Sequence, residues 1–204
     1  MEITLPTPQD WDTFARWVKI EKWRVPAAEI SLYRDGWRDS AFVLRDDHQP
    51  LGFVTIALHA NCGWVGNLIV DRRWRGRGLG ANLLDHALAT LGRQDKKTIW
   101  LTASRDGRPL YERRGFRTIN RIERWSVRDY PVPVARTDAA GSPSDLTGQD
   151  ARVWGGARTR LLKILARGAA TLEFGGTCAL LQAGETMRIL GPWMSEENCP
   201  RENR

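Results

Sequence analysis

Apolar residues near the start of the chain fall at Trp11, Phe14, Ala15, Trp17, Val18 and Ile20. That spacing approximates a helical stripe and predicts a helix over Gln9 to Ile20, with Thr7 or Asp10 as its cap. A shorter helical stretch follows Pro26, from Ala27 to Asp35, and ends at Gly36. The apolar run Ser40 to Leu44 stops at the polar cluster Arg45-Asp46-Asp47-His48-Gln49-Pro50, and Gly52 to Ala60 resumes it. This pattern predicts an antiparallel hairpin. Gly63 to Val70 is a further strand, running into a loop of glycines and arginines. Beyond the loop, Leu83, Leu84, Ala87, Leu88 and Leu91 give Ala81 to Leu91 a buried helical face. Thr98 to Ala103 is expected as a strand, Pro109 to Arg114 as a short helix, and Phe116 to Arg128 as one or two strands.

The pattern changes after Asp129. Tyr130-Pro-Val-Pro-Val and the Gly, Ser, Pro and Asp of Thr137 to Asp150 contain almost no large apolar residue, so 130–149 is expected to be a linker. Apolar periodicity returns with Leu161, Leu162, Ile164 and Leu165, predicting a helix over Ala157 to Arg167, then strands at Thr177 to Gln182 and Thr186 to Leu190. The expected organisation is a first domain at 1–129, the linker, and a small unit at 150–204, expected to be truncated because the polar stretch Ser195 to Arg204 supplies no closing element.

Composition narrows the function classes. No run of about 18 apolar residues exists, and Met1 to Phe14 is polar and acidic where a secretory leader is basic and then apolar. A cytoplasmic protein without a membrane segment is the expectation. Cys62, Cys178 and Cys199 are odd in number and far apart, and the three histidines are scattered, so neither a disulfide framework nor a metal site is expected. The net charge of +7 favours anionic partners. Its arginines are interspersed with Asp and Glu, which suits a solvated surface better than nucleic-acid binding.

The loop Val70-Asp-Arg-Arg-Trp-Arg-Gly-Arg-Gly-Leu-Gly80 is the chemically informative segment. Backbone N–H groups converge on a diphosphate only where no Cβ obstructs it, and a helix N-terminus behind the loop adds positive potential. Arg75 and Arg77 are candidates for charge-assisted contacts to phosphate. The spacing Gly76-x-Gly78-x-Gly80 differs from the dinucleotide fingerprint, the Gly-Lys-Ser/Thr of a Walker loop is missing, and the segment is too short for a disordered arginine-glycine RNA binder.

The loop resembles the Arg/Gln-x-x-Gly-x-Gly/Ala pattern of the GNAT superfamily of acetyl-coenzyme A dependent N-acetyltransferases, matched by Arg75, Gly78 and Gly80. Leu110-Tyr111-Glu112-Arg113-Arg114-Gly115-Phe116, about 30 residues on, is similar to the Leu-Tyr-x-x-x-Gly-Phe signature of the same superfamily. The resemblance covers 1–129. It implies an α/β (α+β) fold: a mixed, mostly antiparallel twisted sheet with helices on both faces. It also implies two strands that splay apart around the pantetheine arm, with the backbone of Leu68, Ile69 and Val70 bonding acetyl-CoA. Arg75, Gly76, Arg77, Gly78, Leu79 and Gly80 would hold its diphosphate. Ser104 stands where many relatives carry a cofactor-contacting Asn.

The implied reaction is direct attack of a primary amine, from a small molecule or peptide, on the thioester in a ternary complex. Tyr111 is the candidate general acid for the departing thiolate. Relatives often place a Glu on the strand before the loop as base, but Cys62 to Val70 has none; His59 and Asn67 are the nearby polar groups, with His59 the candidate base. Trp17, Trp23, Trp37 and Trp64 are candidates to line an acceptor pocket. Because the Glu is absent and the second unit reads as incomplete, a catalytically silent acyl-CoA-binding or regulatory module is the rival reading. Finally, Asp150-Ala-Arg-Val-Trp-Gly-Gly-Ala-Arg-Thr-Arg-Leu-Leu with Ile189-Leu-Gly-Pro-Trp193 resembles the C-terminal, degenerate GNAT-like half of YitH-like two-domain acetyltransferases. The acceptor and the oligomeric state are left open, a homodimer included.

Overall fold

The computed structural model describes residues 1–94, 98–123, 125–126, 143–174, 177–183 and 188–195. The chain divides into two compact units, one of Met1–Arg24, Trp37–Leu58 and Cys62–Pro133, the other of Val25–Gly36, His59–Asn61 and Val134–Arg204.

In the first unit a five-stranded sheet runs in the order β1 (Glu2–Thr4), β2 (Ala41–Asp46), β3 (Gln49–Leu58), β4 (Cys62–Val70), β5 (Thr98–Leu101). The first four strands are antiparallel, and β4 and β5 are parallel. Helix α1 (Pro8–Ile20) begins at Thr7 with a reciprocal capping box: Thr7 Oγ1 accepts from the Asp10 N–H, and Asp10 Oδ2 accepts from the Thr7 N–H at 2.7 Å. The same Asp10 carboxylate accepts from Arg45 of β2 at 2.7 Å, so the cap also ties the helix to the sheet.

Consecutive residues of β3 point to opposite faces, and each face receives a helix. Phe53 meets Trp11, Phe14 and Trp17 of α1 at ring separations of 5.5 to 6.4 Å. Val54 and Ile56 belong to a core with Leu79, Leu83, Leu84, Ala87 and Leu91 of α3 (Leu79–Gly92). The expected mixed sheet with helices on both faces is therefore present. Gly52 lets α3 approach closely, since a Cβ there would stand 2.8 Å from both Leu83 Cδ1 and the Ile69 carbonyl oxygen.

Several expected elements differ. The helix expected over Ala27 to Asp35 is α2 (Ala27–Ser31) followed by a wider π-type turn, Leu32–Gly36, that buries Leu32 and Tyr33. β5 ends at Leu101 rather than Ala103, and α4 is Arg108–Glu112. No strand forms over Phe116 to Arg128 among the described residues. Ile119, Ile122 and Trp125 recur every third position, which cannot load one face of a strand, and all are at least 70% exposed.

The second unit corrects the linker expected at 130–149: α5 spans Pro143–Trp154, while 130–142 lies outside the described residues. Composition hid this helix because a single large apolar residue, Leu146, anchors it in a core with Leu162, Cys178, Leu180 and Met194. α6 (Thr159–Leu165) follows, then an antiparallel sheet of β6 (Ala170–Phe174), β7 (Thr177–Gln182) and β8 (Ile189–Ser195). β6 was not expected. Fully buried Asp150 is ion-paired with Arg158, whose guanidinium stacks 3.9 Å from the centre of the Trp154 ring.

Gly52→Val is expected to cost about 1–3 kcal/mol of stability through overpacking against α3. Urea unfolding measures it, and an unchanged midpoint would show that α3 is not held this close.

Candidate active site

β4 is paired with β5 only from Cys62↔Thr98 to Val65↔Leu101, yet it stays paired with β3 through Val70. From Gly66 onward its other edge faces no β5 partner. The departure coincides with an extra residue in β4: Thr55 pairs with Gly66 and Phe53 with Ile69. Asn67 lies inside this bulge with φ of 51°, a left-handed conformation that Asn tolerates better than most residues, and its Nδ2 donates to Thr55 Oγ1 at 3.2 Å. Pairing with β5 thus stops before Leu68, Ile69 and Val70, because β5 ends at Leu101.

Asp71 ends the strand. Its N–H donates to the Leu51 carbonyl at 2.9 Å, and its carboxylate accepts from the Arg73 N–H at 3.0 Å, starting a single 3-10 turn at Arg72–Trp74. Gly76 and Gly78 then adopt left-handed φ of 77° and 80°, with nothing within 4 Å of where a Cβ would stand. These glycines are needed for backbone conformation rather than for space. Gly80 has an ordinary φ, and a Cβ there would meet Leu110 at 3.6 Å. Gly78 is the N-cap of α3 and offers no side chain, so no side-chain oxygen covers the N–H groups of the first turn.

Each arginine of the loop has a partner within the protein. Arg73 is paired with Asp71 at 2.7 Å. Arg75 donates to Glu21 at 2.7 Å and to the Val70 carbonyl at 3.0 Å, and Arg72 donates to the same Glu21 oxygen at 2.6 Å. Those hydrogen bonds, Arg72's foremost, hold the Glu21 carboxyl below the usual carboxylate range. Arg77 lies over the Trp74 ring, 4.7 Å from its centre. Glu21 had no signal in the sequence, because its partners are 51 and 54 residues away. Between the end of α1 and the end of β4 lies a cavity of about 260 Å³, with Trp17, Ile20, Ile69 and Val70 among its walls. Of the other candidate tryptophans Trp37 is buried, whereas Trp23 is 37% exposed.

The second motif has a local physical explanation. Gly115, at φ of 82°, turns the chain so that the Phe116 N–H reaches the Tyr111 carbonyl at 3.2 Å and the Gly115 N–H reaches that of Glu112 at 3.0 Å. This is the two-bond closure of a Schellman motif. Tyr111 packs on the α3-side core, edge-on to Phe116 at 6.1 Å, and burial pushes its phenol above the ordinary value. Arg114, one residue before the glycine, is paired with Asp85 of α3 at 2.5 Å. Ser104 Oγ accepts from the Gly107 N–H at 3.1 Å, so its oxygen helps to cap the turn into α4.

His59 is not brought to the loop. It lies in the β3–β4 turn before Cys62, at the opposite end of β4, buried with its ring edge-on to Trp154 at 6.1 Å. The eight steps from Cys62 to Val70, at about 3.4 Å each, put roughly 27 Å of strand between that turn and the loop. Among the described residues no cluster of potential metal ligands occurs.

The sequence model of the Acetyltransferase (GNAT) family matches residues 7–116, which contain both β4 and the glycine loop. The chain belongs to the GNAT acetyltransferase family. The uncharacterized N-acetyltransferase YitH of Bacillus subtilis (strain 168) is 32% identical over 108 residues, 50% of this chain and 37% of YitH. The match therefore spans little more than a third of that relative. A crystal structure of a candidate acetyltransferase from Pyrococcus horikoshii superposes with a TM-score of 0.69 at 22% identity, covering 96% of this chain and 71% of that one. A GNAT-family acetyltransferase from Staphylococcus aureus Mu50 gives 0.53 at 17% identity over 59% and 85% of the two chains. A Clostridium acetobutylicum protein predicted to be an acetyltransferase, crystallised with acetyl-CoA, gives 0.50 at 16% identity over 61% and 95%. At these identities the structures establish a shared GNAT fold.

The glycines of the loop should differ in tolerance. Gly78→Ala is expected to lose about 1–2 kcal/mol through left-handed strain, and Gly80→Ala to stay within about 0.5 kcal/mol. Thermal unfolding of the two variants compares them; equal losses would contradict the conformational role.

Proposed function

We propose that the chain is an N-acetyltransferase that moves an acetyl group from acetyl-CoA to a primary amine of a small molecule or peptide. The observation that carries this reading is the unpaired edge of β4 leading directly into a left-handed glycine loop at the start of a 14-residue helix. A strand edge offers hydrogen-bonding groups at peptide spacing, which suits the two amides of pantetheine. The loop offers N–H groups at the positive end of α3, which suits a diphosphate. Leu68, Ile69 and Val70 are assigned to the first role, and Gly76 to Gly80 with Arg77 to the second.

When bound, acetyl-CoA supplies the thioester that the amine attacks. Backbone N–H groups near the bulge at Asn67 are assigned to stabilise the oxyanion, because a fixed dipole there needs no reorganisation as charge develops. Tyr111 is assigned as the general acid. Its buried phenol stays protonated across the physiological range and retains a proton for a departing thiolate. β4 carries no carboxylate and His59 lies at its far end, so removal of the amine's proton is assigned to solvent.

Calorimetry with acetyl-CoA tests the reading first, and the absence of saturable binding would overturn it. With binding established, Tyr111→Phe is expected to lower kcat about 100-fold while the Kd for acetyl-CoA changes less than about twofold. Free-thiol release across a panel of amines measures this, and binding without release from any of them would assign the chain to a silent acyl-CoA-binding module. The pH profile separates the two routes of proton removal. With solvent as acceptor, the rate rises about tenfold per unit from pH 7 to 9, toward an amine pKa near 10; an imidazole base would give a plateau above about 6.5. The raised phenol pKa places loss of activity on the alkaline side above about 10.

A further inference from the structure

The loop holds four arginines within six residues, and three are ion-paired with carboxylates of the chain. Arg73 is spent on Asp71, and Arg72 and Arg75 share Glu21. Arg77 has no carboxylate partner among the described residues. The shared acid is 18% exposed at its side chain and occupies the C-cap of α1. A negative charge at a helix C-terminus is opposed by the helix dipole. The two guanidiniums compensate for it, and they do so from both ends of the 3-10 turn that precedes the glycines. α1 is a fixed anchor, since Trp11, Phe14 and Trp17 hold it against Phe53. Arg75 is additionally occupied by the Val70 carbonyl.

We propose that Glu21 is a positioning residue for the diphosphate loop, bracing Arg72 and Arg75 against α1 so that Gly76 to Gly80 and Arg77 face the phosphates. Arg75 is then a strut and not a phosphate ligand, although it occupies the motif position that suggests direct contact. The reason such a strut is needed lies in the glycines themselves. Gly76 and Gly78 have more accessible backbone conformations than other residues, and no neighbour within 4 Å restrains the space beside either. Fixing the preceding turn at both ends removes much of that freedom before an anion arrives, which lowers the ordering cost of binding.

The proposal rests on acetyl-CoA being the ligand of this loop, and electrostatics makes it falsifiable by sign. Glu21 is an anion beside an anion site. If Arg75 bound phosphate directly, removing Glu21 would free its guanidinium and strengthen CoA binding. A brace predicts the reverse.

The full-length wild type and Glu21→Gln are titrated calorimetrically with CoA, and pantetheine, which lacks the diphosphate, is measured by competition against it. The expected result is a roughly tenfold rise in the Kd for CoA, with a much smaller change for pantetheine, so that the preference for CoA over pantetheine falls. Glu21→Asp, which keeps the charge, recovers part of that preference. Arg75→Gln reproduces the loss, and combining it with Glu21→Gln adds little, because both remove one strut. Tighter CoA binding by Glu21→Gln, or an unchanged preference, overturns the brace. Parallel losses for CoA and pantetheine overturn it too, since they indicate general destabilisation. Failure of the wild type to bind CoA is a separate result that removes the acetyl-CoA reading itself. If Glu21→Gln does not fold, Arg72→Gln decides by the same ratio: a brace predicts a fall in the preference for CoA, and an unchanged or increased preference overturns it.

Discussion

β4 must satisfy two incompatible demands. Its first four residues complete a parallel pair with β5, and its last four are held in the sheet by β3 alone. A regular strand would continue pairing on both edges, or would leave both. The bulge at Asn67 shifts the register with β3 by one residue without ending that pairing, and it requires a residue that accepts a left-handed backbone. Every other feature of the site is placed by this departure: the open edge, the direction in which the chain enters the glycine loop, and the point at which α3 starts.

Electrostatics in the loop follows a division of labour that charge counting conceals. Glu21 and Asp71 offset two of the three charges of Arg72, Arg73 and Arg75, so the local field is more modest than four arginines suggest. What the loop offers an anion is chiefly backbone N–H groups and the end of α3, supplemented by one cation stacked on an indole. Such groups are rigidly aimed, whereas long side chains must be ordered before they contribute. The depressed pKa of Glu21 fits the same picture: this carboxylate is held ionised by its partners, and its contribution to the fold is lost as pH falls through its folded value, not as pH rises.

Much of the first unit was legible in the sequence because its signals are local. The helical spacing of Trp11, Phe14, Trp17 and Val18 with Thr7 before it, the hairpin between β2 and β3, and the glycine loop are all written within a dozen residues of one another. The glycines at 76, 78 and 115 announced backbone conformations that the structure contains. What was illegible depends on distant partners. Glu21 looks like an ordinary surface acid until the fold brings Arg72 and Arg75 to it. α5 is anchored by Leu146 in a core supplied by α6, β7 and β8, so its own composition reads as a linker. His59 had the right chemistry for a base, but along the chain it precedes β4 whereas the glycine loop follows it. The expected strands after Phe116 rested on apolar content, and the three-residue spacing of Ile119, Ile122 and Trp125 was the contrary signal.

The pair between Arg114 and Asp85 connects the turn after α4 to the middle of α3, while the beginning of α3 closes the glycine loop. Tyr111 also packs on the core that α3 shares with the sheet, so the phenol and the first turn of α3 are referred to the same packed layer. On the proposed reading, a tilt of α3 would shift the acid and the diphosphate end of the cofactor site together.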